Sequence, residues 1–226
     1  MMRQHLAASK RRRVVSFAVA LSVALMTSTG ATATHAMAHH DLRRFWLDAP
    51  AFPSGVRLID RNVRDTLPSP YTGDEEALVN INDQYDTFGH LHFQGGATEN
   101  ALLPYQWTGG RNIFTGVMVF PNPTAAAKAV GFDRMLVAQQ YHCRPVSVRA
   151  TGIPINGASC AFLNAVPMMG EPYSGAYVIL SVGRVECIVD GVVISAYRTQ
   201  LARTINETAQ VAAKQVDLVD RVLPTY

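Results

Sequence analysis

The chain lacks the short motifs that identify most enzyme classes. It has no G-x-S-x-G elbow and no glycine-rich phosphate-binding loop. Its three cysteines include no C-x-x-C pair, which argues against a thioredoxin-like redox motif and a zinc knuckle. After the N-terminal 26 residues, no apolar run is long enough to cross a bilayer. We therefore expect no catalytic residues, no cofactor and no transmembrane helix in the mature chain.

The N-terminus has the parts of an export signal. A basic cluster, Lys10–Arg13, precedes an apolar run of 13 residues, Val14–Met26, and Ala-x-Ala patterns follow at Ala31–Ala33 and Ala36–Ala38. The run is shorter than the roughly 20 residues of a membrane-spanning helix, which favours a cleaved signal peptide, residues 1–38, over an uncleaved anchor. Lys10 stands where a twin-arginine signal has Ser or Thr, which favours the general secretory route. We expect a secreted or cell-envelope protein.

The positive charge of the chain belongs to this signal. The whole chain has 20 Lys and Arg against 17 Asp and Glu, but residues 1–38 hold five of the basic residues and none of the acidic ones. Residues 39–226 therefore carry a net charge of −2. A slightly acidic chain gives no support for nucleic-acid binding, so we expect no nucleic-acid partner.

The first half of the mature chain is weakly patterned. Residues 39–73 are rich in proline and predict an irregular segment with at most one short strand. Residues 74–226 are predicted to form a single domain. It begins with a short helix at Asp74–Ile81, and glycine pairs within residues 94–111 indicate loops.

The second half predicts a strand, a helix, three or four strands and a final helix. Strands are expected at Ile113–Phe120, Val146–Ala150, Ala158–Ala165, Ala176–Val182 and Val185–Val189, with a hairpin turn at Gly183-Arg184. Val192–Tyr197 either continues the last of these strands or adds one. Asn122-Pro123 predicts the start of a helix reaching about residue 140, and Thr204 with Glu207 predicts a capping box before the last helix. The fold class is α+β: an antiparallel sheet of about five strands with two helices packed on one face.

Two histidines are the candidate metal ligands. His90 and His92 stand two apart, and on a strand both would point to the same face, with Asp83 and Asp86 nearby in sequence. The competing interpretation is a pair of surface histidines on an edge strand.

The mature chain has three cysteines, Cys143, Cys160 and Cys187. The simplest expectation for an exported protein is that two of them form a disulfide and the third stays a free thiol.

Residues 113–222 resemble the extracellular sensor domain of PknH-type actinobacterial kinases and its free-standing exported relatives. The resemblance rests on Val117–Ala127, on Gln139–Cys143, on Gly157–Cys160, on the hairpin from Tyr177 to Val189 and on Ala212–Lys214. It implies a Cys143–Cys160 disulfide and a groove for an unidentified ligand. The competing pairing is Cys160–Cys187, since adjacent strands could hold both. The first pairing would leave Cys187 reduced and buried.

The function expected from these observations is that of a non-enzymatic extracytoplasmic sensor-like domain. Its partner would be an unknown small ligand or a cell-envelope component. One alternative is a secreted hydrolase or metal-dependent enzyme that uses His90 and His92. Another is a protein that binds cell-envelope partners through exposed aromatic residues, for which the candidates are Phe45, Trp46, Tyr105 and Trp107.

Overall fold

The computed structural model describes residues 41–64, 87–103, 110–141, 143–146, 158–168, 171–194 and 198–226. The expected signal peptide, the expected helix at Asp74–Ile81 and most of the expected strand at Val146–Ala150 lie outside these residues, as do Tyr105 and Trp107. Within the described ranges, no helix has both the length and the apolar character needed to cross a membrane.

A seven-stranded antiparallel sheet forms the centre of the molecule. Its spatial order is β1-β2-β3-β7-β6-β5-β4, with every neighbouring pair antiparallel. The strands are β1 Arg57–Arg64, β2 Gly95–Leu103, β3 Arg111–Val119, β4 Arg144–Pro145, β5 Ala158–Met168, β6 Glu171–Val182 and β7 Val185–Val193. The α+β class is confirmed, and the sheet is wider than the five strands predicted.

The two long helices in the described ranges are α1, Pro123–Tyr141, and α2, Arg198–Val222. They pack on opposite faces of the sheet, so the prediction of two helices on one face is wrong. On β7, Val185, Cys187 and Val189 lie in one core cluster with residues of α2. Ile188 and Val192 lie in another cluster with Val130 of α1. Successive side chains of a strand point to opposite faces, and because β7 is buried on both, each face needs its own helix.

Strand β2 occupies a segment that was expected to be loop-rich. Its side chains alternate as a strand requires: Ala97, Glu99 and Ala101 lie on the α2 face, and Thr98 and Asn100 lie on the α1 face. Because each face carries polar residues, the sequence of this segment shows no alternation of apolar and polar residues, and its glycines predict a loop instead of a strand. The hairpin at Gly183-Arg184 is confirmed, with Gly183 at φ 54°.

The helix starts were predicted with unequal success. Asn122 does cap α1, since its Oδ1 accepts the backbone N–H of Ala125 at 2.9 Å. The capping box at Thr204 is wrong, because α2 already begins at Arg198. Thr204 lies inside the helix, where its hydroxyl donates to the carbonyl of Gln200 at 2.9 Å, and Glu207 instead pairs with Arg111.

The N-terminal segment packs on the α2 side of the sheet. It contains two short 3-10 helices, Leu42–Phe45 and Ala49–Ala51. Leu47 donates its backbone N–H to the buried Glu99 carboxylate of β2 at 2.6 Å. Gln215 of α2 donates from Nε2 to the carbonyl of Phe45 at 3.0 Å. This segment therefore completes the core on that face.

Candidate functional site

The α1 face of the sheet is divided between an apolar part and a polar part. The apolar part lies under α1, on β5, β6 and β7, and contains Phe162, Ile179 and Ile188. The polar part extends over β1, β2 and β3. We call the following residues the polar row: Asp60, Asn100, Asn112, Phe114, Asp190 and Tyr177. The row starts at the edge strand β1 and ends on β6, beside the helix.

Strand register places most of these side chains in one line across the sheet. Asp60 pairs with Asn100, Asn100 with Phe114, Phe114 with Asp190, and Asp190 with Tyr177. Paired residues of antiparallel strands lie on the same face, about 5 Å apart at their Cβ atoms. Asn112 is displaced by two residues along β3, where it pairs with Val192 of β7. The residues therefore form one continuous strip.

Three oxygens in this row are buried without a hydrogen-bond donor. They are Oδ1 of Asn100, Oδ1 of Asn112 and Oδ1 of Asp190, and none accepts a hydrogen bond from any described residue. A buried polar atom left unsatisfied costs about 1–3 kcal/mol. Native proteins keep few such atoms, and these three lie on adjoining strands of one face, which makes the polar row a candidate site.

Asp190 is the electrostatic centre of the row. Its side chain is only 7% exposed. Burial raises the pKa of this carboxyl group to about 7, and the hydrogen bond from Tyr177 partly opposes that rise. Near neutral pH the group therefore exists in both protonation states. It can accept a hydrogen bond as carboxylate or donate one as the acid.

Phe114 forms an apolar floor between Asn100 and Asp190. A Cβ placed on Gly116 would lie 3.2 Å from a carbon of the Phe114 ring, so the ring leans along β3 over Gly116. Phe114 is buried, yet it belongs to none of the three hydrophobic clusters formed by the described residues.

A second buried acid lies at the other end of β7. Glu186 is 0% exposed, and neither of its carboxylate oxygens accepts a hydrogen bond from a described residue. Burial, together with the nearby Asp133 of α1, raises the pKa of Glu186 well above its ordinary value. Glu186 pairs across the sheet with Met118 and Ser181, and no described lysine or arginine forms an ion pair with it.

The predicted histidine pair lies elsewhere. His90 ends a helical stretch, residues 87–90, and His92 lies in the following turn with φ 56°, so neither is on a strand. Both side chains are exposed. No group of three described His, Cys, Asp or Glu residues is placed to hold a metal ion. Asp83 and Asp86 lie outside the described residues, so metal binding by this segment stays a prediction.

The cysteines adopt the pairing that the sequence resemblance implies. Cys143 and Cys160 form a disulfide with a Cα–Cα distance of 5.5 Å, and Cys187 is free and buried. The disulfide links the chain after α1 to β5. Burial and two neighbouring acids, Glu186 and Asp220, raise the pKa of the Cys187 thiol well above its ordinary value. Cys187 therefore behaves as a small core residue.

The aromatic residues considered as a partner-binding surface serve the core where they are described. Phe45 is 1% exposed. Trp46 is half-buried, with the Arg61 guanidinium 5.3 Å from its ring centre. Tyr105 and Trp107 lie outside the described residues.

The polar row was missed in the sequence, although part of its signal is present. Strand β7 reads V-E-C-I-V-D-G-V-V, with two acids four residues apart in an otherwise apolar run. On a strand that spacing puts both acids on one face, and a strand apolar on both sides buries them. The contributions of Asn100 and Asn112 depend on the register of β2 against β3, which the sequence did not reveal.

Comparison with known proteins gives one structural match. No family model matches the chain, and no curated protein matches it. Among solved structures, the chain is similar to the extracellular domain of PknH from Mycobacterium tuberculosis, with 15% sequence identity and a TM-score of 0.49. The match covers 82% of this chain and 97% of that chain.

Proposed function

We propose that this protein is an exported, non-enzymatic sensor-like domain that binds a ligand at the polar row. The observation that carries the proposal is the set of three buried oxygens without donors, on β2, β3 and β7. Unsatisfied oxygens destabilise the free protein. These three have almost no accessible surface, so a ligand that donates hydrogen bonds to them must first displace the groups that cover them. The ligand is a small molecule or a component of the cell envelope.

The chemistry of the row supports binding rather than catalysis. Asp190 has a pKa suited to proton transfer, but its described neighbours in the row are Phe114 and Tyr177. The described part of the row contains no serine, cysteine or lysine nucleophile beside a base, as covalent catalysis requires. Export is supported by the N-terminal basic cluster, apolar run and Ala-x-Ala sites.

A thermal-shift screen tests the proposal. The purified secreted protein is titrated with envelope glycans, lipids and peptides, and a ligand should raise the melting temperature in a concentration-dependent way. The same ligand should give a much smaller rise with the Asn100→Leu variant and an unchanged rise with Asn206→Leu. Asn206 is an exposed asparagine of α2 and gives a matched control. A rise that survives at Asn100→Leu would place binding away from the polar row.

Export is tested separately by N-terminal sequencing of the protein recovered from the culture medium or envelope. The mature chain should start between Thr34 and His39. Recovery of the exported protein with Met1 intact would contradict a cleaved signal.

A further inference from the structure

We propose that helix α1 separates locally from the sheet when the buried carboxyl group of Glu186 loses its proton. Glu186 shares a face of β7 with Ile188, which packs with Val130 of α1, so α1 covers this side of the strand. Glu186 does not belong to the polar row, and the movement is independent of ligand binding there. Three features of the molecule support it: the burial of Glu186, the acid opposite it on α1, and the weak packing of that helix.

The Glu186 side chain is enclosed by uncharged neighbours on the sheet. It is 0% exposed, and neither of its carboxyl oxygens accepts a hydrogen bond from a described residue. Across the sheet it pairs with Met118 of β3 and Ser181 of β6. A carboxylate in this position loses its hydration without gaining a described donor in return, so the protonated form is favoured while α1 is in place.

A second acid faces Glu186 from α1. Burial raises the pKa of Glu186 well above its ordinary value, and the charge of Asp133, itself 3% exposed, raises it further. The basic residues of α1, Lys128 and Arg134, are exposed and form no ion pair with a described residue. The next acid on the same face of β7 is Asp190, four residues along the strand. Ionised Glu186 therefore meets like charge across the contact between helix and sheet.

Helix α1 is held to the sheet by less apolar surface than α2. The described hydrophobic residues that α1 buries are mostly small: Ala125, Ala126, Ala129 and Val130. Those that α2 buries include four valines: Val211, Val216, Val219 and Val222. Burial free energy is roughly proportional to apolar area, so α1 is the helix that separates at lower cost. Its separation also gives the Glu186 carboxylate access to water.

Both ends of α1 stay attached during such a separation. The helix follows the fully buried Phe120, and Asn122 caps its first turn. Beyond its C-terminus, the Cys143–Cys160 disulfide links the chain to β5. The middle of the helix, which carries Asp133, can therefore move outward and return when Glu186 is protonated again.

The pH dependence of this movement follows from the direction of the pKa shift. With α1 away from the sheet, Glu186 has its ordinary pKa of 4.5, and with α1 in place its pKa is well above that value. The attached state is therefore fully stabilised below pH 4.5 and loses this stabilisation as the pH rises toward the raised pKa. Within that window the equilibrium constant for separation should rise about tenfold per pH unit.

Hydrogen exchange of the purified secreted protein tests the proposal. Exchange rates are measured at several pH values from mildly acidic to mildly basic and corrected for the intrinsic pH dependence of amide exchange. The protection of residues 125–137 should fall about tenfold per pH unit. Glu186→Gln should abolish this fall, and Asp133→Asn should make it level off at a lower pH. Asp217→Asn, at an exposed acid of α2, should leave it unchanged.

Low concentrations of urea distinguish local separation from global unfolding. Exchange in residues 125–137 should hardly respond to urea, whereas residues 209–219 of α2 should accelerate, because global unfolding exposes far more surface. Equal sensitivity of both helices would show that α1 leaves the sheet only when the whole protein unfolds, which overturns the proposal. Protection of α1 that does not change with pH also overturns it. So does a fall that persists in Glu186→Gln, or one that disappears only in Asp190→Asn.

Discussion

At the scale of single residues, buried carboxyl groups dominate the behaviour of this protein. Glu186 and Asp190 lie on the same face of β7, and burial raises the pKa of both. A group whose pKa is higher in the folded than in the unfolded state stabilises the fold when protonated. That contribution is fully present below the unfolded pKa and is lost as pH rises through the folded pKa. The free energy of unfolding therefore decreases as the pH rises from mildly acidic to neutral.

Glu186→Gln should accordingly stabilise the protein at pH 8. The variant removes a titratable group whose charged form is disfavoured by burial, and with it the free-energy cost that this group adds as pH rises above its unfolded pKa. We expect a gain of about 1–3 kcal/mol in the free energy of unfolding at pH 8, shrinking toward zero near pH 4. Urea unfolding at a series of pH values measures it. The control is Asp217→Asn, an exposed acid of α2, which should change stability little at any pH. A gain independent of pH would contradict the assignment.

Whether the role of a residue could be predicted from the sequence depends on whether nearby or distant residues determine that role. Asn122 was found because helix capping is encoded within four residues of sequence. Asn100 and Asn112 belong to the polar row only because β2 pairs with β3 in one register. Register depends on contacts between distant segments, and β2 carries polar side chains on both faces, so its sequence gave no strand signal.

At the scale of elements, the close approach of α2 to the sheet depends on Gly191. A Cβ at this position would lie 2.0 Å from the hydroxyl oxygen of Thr208 and 3.3 Å from its Cβ. The helix therefore rests directly on the β7 backbone. The final helix was predicted from the sequence, but this close contact was not, because it depends on which residue of β7 lies beneath which turn of the helix.

Gly191→Ala should therefore destabilise the protein by about 1–3 kcal/mol, since the helix or the strand must shift. Adding Thr208→Ala should recover part of the loss, because it removes the closest contact. Gly131→Ala is the matched control. No atom lies within 4 Å of a Cβ at that position of α1, so the change should stabilise by up to about 1 kcal/mol. Thermal or urea unfolding measures all three. An unchanged stability of Gly191→Ala would show that α2 packs less closely.

The buried stripe of α2 gives a second prediction at this scale. Val216 is 6% exposed and Val219 is 0% exposed, whereas Gln210 is exposed. Val216→Asp or Val219→Asp should unfold the domain, since each loses roughly 1.5–3 kcal/mol of transfer free energy before the cost of burying a charge. Gln210→Asp should be tolerated. Ile205 is only half-buried, so Ile205→Asp should cost less than either valine change. Circular dichroism of the purified variants distinguishes these outcomes.

At the scale of the whole molecule, the two faces of the sheet are completed in different ways. The α2 face is closed by the helix and by the N-terminal segment, which the core includes through Leu42, Phe45, Leu47 and Phe52. The α1 face is apolar only beneath α1 and polar toward β1. This asymmetry explains why the predicted arrangement of two helices on one face failed.

Glu99 joins the N-terminal segment to the sheet, and its removal should release that segment first. Its carboxylate accepts the Leu47 N–H at 2.6 Å and Arg61 Nε at 3.0 Å, so Glu99→Ala leaves both donors without it. We expect a loss of about 2–3 kcal/mol in stability, because one of the orphaned groups is buried. Hydrogen exchange should accelerate in residues 42–52 more than in β6 and β7. Glu207→Ala breaks a different ion pair, with Arg111, and should not accelerate exchange selectively in residues 42–52. Uniform acceleration in Glu99→Ala would mean that the segment and the sheet unfold as one unit.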